Sequence, residues 1–205
     1  MATRARVLSV AAALPANARS SAEVEDLVAE RSPGLRVRRG CIEAMTGIRS
    51  RRIAEDGVQC SDLAADAGMQ ALAAAEMSPA DVDAVIFGAA SQDLLEPATA
   101  NIVQEKLGTR CQVFDVKNAC NSFLTGMQLG EALILSGGCR TVLVTTGEIC
   151  SRGIAWRSRN RDELKRNFPG FTMGDAGAAA LLSPDDEGRG IFYRRFSTLS
   201  EHWRL

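Results

Sequence analysis

The chain is short of the residue types that most often announce chemistry. It has one histidine, His202, and its six cysteines, at 41, 60, 111, 120, 139 and 150, include no Cys-x-x-Cys pair. A Cys/His zinc site therefore lacks ligands, and scattered thiols fit a reducing, cytoplasmic setting better than a disulfide framework. Aromatic residues make up only 5% of the chain and the formal net charge is −1, which removes any general electrostatic case for nucleic acid. No apolar run is long enough to predict a membrane span. The 205 residues, 46% of them hydrophobic, suit one globular domain over 1–205 with a sizeable core.

Strand and helix signals alternate along this length. The sequence predicts strands over 6–13, 82–88, 111–116, 141–146, 178–182 and 191–196, with a short extended piece at 51–54. It predicts helices from Ser20 or Ser21 to residue 30, over 62–75 capped by Ser61, over 98–107, and over 123–135. Such alternation specifies an α/β layered fold with a mostly parallel sheet. The strands are continuous in apolar residues, so both sheet faces should be covered. The N-terminus admits two readings. Arg4 and Arg6 before an apolar stretch, with Ala16-Asn17-Ala18 beyond it, read as a weak leader peptide. The alternative is a first buried strand closed by Leu14-Pro15, and that reading is preferred. Residues 152–166 break the rhythm: six basic side chains stand against Asp162 and Glu163 with no apolar stripe, which predicts a basic surface excursion at about 150–170.

The most informative position is Cys120, in Asp115-Val116-Lys117-Asn118-Ala119-Cys120-Asn121-Ser122-Phe123. A cysteine between a buried strand and a helix sits on a tight turn with its sulfur near a helix N-terminus. There the dipole and free N–H groups favour the thiolate that attacks carbonyl carbon, and the same N–H groups stabilise an oxyanion. The competing reading is a small apolar residue filling the joint.

Three motifs in order decide what surrounds it. Thr46-Gly47-Ile48-Arg49-Ser50-Arg51-Arg52-Ile53, the Cys120 stretch, and Phe171-Thr172-Met173-Gly174-Asp175-Ala176-Gly177-Ala178-Ala179 together resemble the ketoacyl synthase III branch of the thiolase superfamily. The resemblance runs from about residue 6 to 195 and corresponds to the first of two pseudo-symmetric halves; Ala176 replaces a family glycine. It also places a strand at the N-terminus. It implies a thiolase-like layered α/β fold, no tightly bound cofactor, and acyl-CoA or acyl-carrier-protein phosphopantetheine as the substrate's carrier.

Further residues take their roles from this resemblance. Leu95-Glu96-Pro97-Ala98-Thr99-Ala100 resembles the olefin-biosynthesis thiolases, which condense two acyl-CoA chains. In that subgroup the glutamate is the proposed base for the α-proton, offered into a neighbouring subunit's pocket. A water-poor acyl pocket would raise the pKa of Glu96 and suit it to that task. Its bland alternative is a loop carboxylate favouring the next helix N-terminus, worth about 0.3–1 kcal/mol. Arg152 matches a family arginine near the coenzyme A nucleotide, and its neighbours offer guanidinium groups to phosphates; the alternative is a solvated face. Cys41 and Met45 stand where initiating enzymes carry a tryptophan and an arginine that clamp coenzyme A.

The family's catalytic histidine and asparagine lie in the second half, and His202 comes too early to be that histidine; it reads as a surface residue. The expected function is thus an acyltransferase half. Cys120 takes an acyl group for Claisen-type condensation, in a homodimer-type assembly completed by a C-terminal half. The competing expectations are an ester- or amide-forming acyl shuttle, and a non-catalytic scaffold paired with an active synthase. The sequence leaves open a split subunit, a cleavage fragment and a remnant.

Overall fold

A computed structural model describes residues 3–202. Seven strands and six helices follow in the order β1 (Arg4–Ala13), β2 (Ala18–Ser20), α1 (Ser21–Arg31), α2 (Cys41–Thr46), β3 (Ser50–Arg52), α3 (Cys60–Ala74), β4 (Ala84–Gly88), α4 (Thr99–Leu107), β5 (Gln112–Val116), α5 (Ser122–Leu135), β6 (Val142–Ile149), α6 (Arg161–Asn167) and β7 (Asp175–Asp185). Five strands form one sheet in the order β1-β7-β6-β4-β5, and β2 pairs with β3 apart from it. β4 lies parallel to both β5 and β6, while β7 is antiparallel to β6 and to β1. Four of the five strands therefore run the same way and β7 alone opposes them. The sheet is mixed and mostly parallel.

Both faces are covered, as the unbroken apolar strands require. Along β4, Val85 and Phe87 face the core shared with α3 and α4, while Ala84 and Ile86 face the core beneath α5. β6 alternates in the same way, with Leu143 toward α3 and Val142 and Val144 toward α5. Period-two alternation with apolar residues at every position is the signature of a strand buried on both sides.

Glycine sets the spacing of the layers. Gly147 of β6 is directly paired with Gly177 of β7. A Cβ on Gly147 would run into the Cys60 carbonyl, and one on Gly177 into the Leu63 carbonyl, so the first turn of α3 rests against bare sheet backbone. This explains the glycine of the Gly174-to-Ala179 segment by close approach rather than by turn geometry. On the opposite face, Gly88 closes β4 where a Cβ would meet the Ser122 carbonyl at 2.7 Å.

Three sequence expectations give way. α3 begins at Cys60 and is capped by Gln59 in a box with Asp62, not by Ser61; Ser61 is buried and accepts from Lys106 Nζ at 2.7 Å. Residues 191–196 form no strand. That segment is irregular, tied by the Ile191 N–H to the Ala5 carbonyl at 2.8 Å and by Arg194 to the buried Glu131 of α5 at 2.9 Å. Finally, the basic stretch has a buried side. Ile154 and Phe171, with Leu164 and Phe168, pack against Val24, Val28 and Ile42 of α1 and α2, while the arginines stay outside. The apolar residues are too irregularly spaced to show as a stripe.

The first expected outcome concerns the glycine pair. Gly177→Ala should lower unfolding stability by about 1–3 kcal/mol or more through overpacking, read as the shift of the urea midpoint. An unchanged midpoint would refute the close contact with α3.

Candidate active site

Three loops gather at the C-terminal ends of the parallel strands β5, β4 and β6, where open α/β sheets place their ligands. The first is the turn after β5. Ala119 adopts the left-handed conformation, φ 46°, and throws Cys120 out of the strand direction. Ser122 ties the turn shut, its Oγ accepting from the Asn118 N–H at 2.8 Å and donating to the Ala119 carbonyl at 2.6 Å. Asn118 Nδ2 donates to Thr125 Oγ1 at 3.0 Å, linking the turn to the second turn of α5. Asn121 is the N-cap residue, so Cys120 stands just ahead of the helix rather than in its first turn. Of the six free thiols, Cys120 alone is exposed.

Asp115, the penultimate residue of β5, accepts the Thr99 N–H at 2.9 Å and the Ala100 N–H at 2.7 Å. Thus the conspicuous aspartate of the Cys120 stretch caps α4, whose own N-cap residue, Ala98, has no side chain to do so.

The second loop, residues 89–98, joins β4 to α4 and carries Glu96. Glu148, at the end of β6, grips the start of this loop: its carboxylate accepts the Ala90 N–H at 2.6 Å, the Ser91 N–H at 3.0 Å, and the Ser91 hydroxyl. Lys117 Nζ reaches Gln92 Oε1 at 3.0 Å and joins the loop to the Cys120 turn. The loop's tip, Leu94-Leu95-Glu96-Pro97, stays outside, with Leu95 87% exposed. Glu96 is exposed too. Within this chain it lies in water; the expected water-poor pocket is one that a neighbouring subunit would supply. Enclosure of this carboxylate would take a surface that the loop projects toward.

The third loop follows β6. Cys150 lies 4.0 Å from Glu148 Oε2. Burial pushes its thiol above the usual value, and the charges of Glu148, Asp175 and Cys120 add to that. Asp175 is buried and pins this loop from beneath, accepting the Ser151 N–H at 2.9 Å and Oγ at 2.7 Å, together with the Ala54 N–H at 2.7 Å. Cys60, at the start of α3, is pushed up to about 11, by burial first and by Asp93 second.

Arg152 is exposed and donates to the Glu55 carbonyl at 3.0 Å. A cleft of about 370 Å³ opens beside it, lined by Cys150, Gly153, Ile154, Arg166 and Met173 among others. A second cleft, about 420 Å³, lies along α2, with Met45, Phe168 and Phe171 inside and Arg36, Arg38 and Lys165 at its edge. It holds Cys41, whose thiol is pushed up by burial and by Glu25. His202 is exposed and ends a 3-10 turn remote in sequence from the three loops.

The structure thus brings Cys120, the 89–98 loop and the end of β6 to one sheet edge, and leaves Glu96 and Arg152 at its exposed margin. Glu148 and Cys150 escaped the sequence reading. Their signal was the polar break Gly147-Glu148-Ile149-Cys150 at the end of an apolar strand.

A layered α/β sheet with a cysteine turn at a strand end is the architecture of thiolase-like proteins. The family described as 3-oxoacyl-[acyl-carrier-protein (ACP)] synthase III matches residues 114–199. The beta-ketoacyl-[acyl-carrier-protein] synthase III of Dinoroseobacter shibae is 36% identical, covering 98% of this chain and 60% of that protein. That of Xylella fastidiosa strain Temecula1 is 37% identical over 147 residues, 71% of this chain and 43% of the relative. Among solved structures, OleA of Xanthomonas campestris with cerulenin bound superposes with a TM-score of 0.80 at 26% identity, covering 88% of this chain and 57% of OleA. The acetamide-bound form gives a TM-score of 0.80 at the same identity. The chain belongs to the ketoacyl synthase III-like proteins of the thiolase superfamily, and it spans about half the length of the curated relatives it matches.

Thiol labelling checks the electrostatics of the site. With iodoacetamide near pH 8, peptide mass spectrometry should find Cys120 modified well before Cys60 and Cys150. Their raised pKa values keep them as thiols, and labelling of Cys150 should accelerate as pH climbs through its raised value. Equal rates at all three would contradict the assignment.

Proposed function

We propose that the chain is the nucleophile-bearing part of a condensing acyltransferase. The observation that carries this reading is the exposure of Cys120 on its left-handed turn, where the other thiols are buried or half-buried. The Cys120 thiolate attacks the carbonyl carbon of an acyl thioester. The tetrahedral oxyanion collapses, the carrier's thiolate leaves, and the acyl group stays on Cys120. The Cys120 backbone N–H is the candidate donor to that oxyanion.

The second step needs a carbanion at the α-carbon of a second acyl thioester. Glu96 is the proposed base: it removes the α-proton, the carbanion attacks the acyl-Cys120 carbonyl, and the Cys120 thiolate leaves as the new carbon–carbon bond forms. The exposed Leu94-Leu95-Glu96 tip suits delivery of this carboxylate into the pocket of a second copy in a homodimer. A general base needs to be held near the proton it takes, and burial between subunits would supply the dry surroundings that the isolated tip lacks.

The carrier of the acyl group, coenzyme A or an acyl carrier protein's phosphopantetheine, would enter by the cleft beside Cys150. Arg166 lines that cleft, and Arg152, next in sequence to its lining residue Gly153, has N–H groups to spare for phosphate. A C-terminal half would cover the outer face of α5, where Leu124, Leu129 and Leu135 are exposed, and would supply the histidine and asparagine that the resemblance implies.

Glu96→Ala tests the two-step mechanism in the assembled enzyme. Formation of the Cys120 acyl thioester should persist while condensation of two acyl thioesters falls by about 10²–10⁴, the usual contribution of a general base. Undiminished condensation would remove Glu96 from the mechanism and favour acyl transfer without carbon–carbon bond formation.

A further inference from the structure

The segment between β4 and α4 is held by carboxylates at three places. Asp115 takes the N–H groups of Thr99 and Ala100 at its far end. Asp93, in its middle, accepts the Ser61 N–H at 3.3 Å, and its own N–H donates to Thr99 Oγ1 at 3.2 Å. Glu148 takes Ala90 and Ser91 at its start. The first two contacts are explained by helix ends: Asp115 caps α4, and Asp93 meets the first turn of α3. The third is different. Glu148 comes from the sheet edge itself, caps no helix, and sits half-buried between the loop and the Cys150 thiol.

Three donors converge on this one carboxylate, and hydrogen bonds to an ionised acceptor are roughly twice as strong as neutral ones. Backbone geometry fixes where Glu148 stands, because its residue is paired with Ala176 of β7 in the register that also pairs Gly147 with Gly177. The loop start is thereby tied to the middle strand of the five-stranded sheet. Its other end is tied through Asp115 to β5, two strands away. What remains free between these anchors is the tip that carries Glu96.

We propose that Glu148 is a positioning residue which, by gathering the Ala90 and Ser91 donors, fixes the 89–98 loop and so sets where the Glu96 tip is presented. This inference rests on the proposed role of Glu96, but its structural half does not. Glu148 touches neither the nucleophile nor a reacting atom, so its removal should alter the second step and spare the first.

The variant Glu148→Gln keeps the size and shape of the side chain, removes the charge, and turns an NH2 group toward donors. Two readouts apply to it. In native-state hydrogen exchange, the amides of Ala90 and Ser91 should exchange at least about tenfold faster, as expected from losing bonds to a charged acceptor, while the amides of Leu143 and Val144 keep their rates. In the assembled enzyme, kcat for condensation should fall by about tenfold or more, with the extent of Cys120 acylation and the KM for the acylating thioester unchanged. Glu148→Asp, which restores charge on a shorter arm, should recover part of kcat. Ser91→Ala removes one donor without altering β6 and should show the same two effects more weakly; it decides the matter if Glu148→Gln fails to fold.

Unchanged exchange at Ala90 and Ser91 would overturn the proposal outright. So would loss of Cys120 acylation in parallel with condensation, or equal loss of protection at Leu143 and Val144, because either would make Glu148 a general structural residue. If the unmodified protein never acylates Cys120, the functional reading fails, and the exchange rates still decide whether Glu148 fixes the loop.

Discussion

Everything at the candidate site depends on how close α5 lies to the sheet. Gly88 ends β4 without a side chain where the Ser122 carbonyl presses on it, and Gly126 and Gly130 would place a Cβ only 2.9 Å from Val144 and Leu182. The helix is therefore laid on the strands backbone to side chain, at a height that larger residues would not permit. That height fixes the start of the helix, and the Ser122 hydroxyl transfers it to the turn carrying Cys120. A single left-handed residue, Ala119, is tolerated because both of its flanks are already held.

Carboxylates at strand ends do the remaining positioning. Asp115, Glu148 and Asp175 each stand near an end of a sheet strand and each binds backbone N–H groups of a neighbouring loop or helix start. Buried N–H groups that lack partners cost about 1–3 kcal/mol each, so these loops have little freedom to rearrange. Burial first, and neighbouring negative charge second, raise the pKa of the Cys150 and Cys60 thiols, whereas Cys120 stands out toward solvent. The geometry separates one available sulfur from two unavailable ones within the same sheet edge.

Much of this was legible in the residues. Unbroken apolar runs such as Ala84 to Gly88 mark strands covered on both faces, and the change of period at Ser122 marks the helix after Cys120. The glycines of the Gly174-to-Ala179 segment were recognisable by pattern, though their reasons, Arg51 and Arg52 of β3 against Gly174 and the seat of α3 on Gly177, are tertiary. What escaped has physical causes. Gln59 is an uncommon N-cap residue, marked here by its N–H donating to the Asp62 carboxylate, and the apolar members of the 152–171 stretch follow no helical or strand period. Residues 191–196 alternate like a strand, but they meet the edge strand β1 through the single Ile191–Ala5 bond and then pair with α5 through Arg194 and Glu131, with no ladder. Glu148 shows locally only as a polar break at the end of an apolar strand, because its three bonds cross 57 and 58 positions of sequence. Glu96 is exposed on its loop, and any dry pocket for it would have to be built by another polypeptide surface.

The central claim is that Cys120 is a nucleophile for acyl thioesters, already presented by this chain's own turn. The most direct measurement is the intact mass of the protein after incubation with acyl-CoAs of increasing chain length, beside Cys120→Ala. The account predicts one acyl increment in the unmodified protein and none in the variant. An increment that survives in Cys120→Ala, or no increment at any chain length in the unmodified protein, would contradict it.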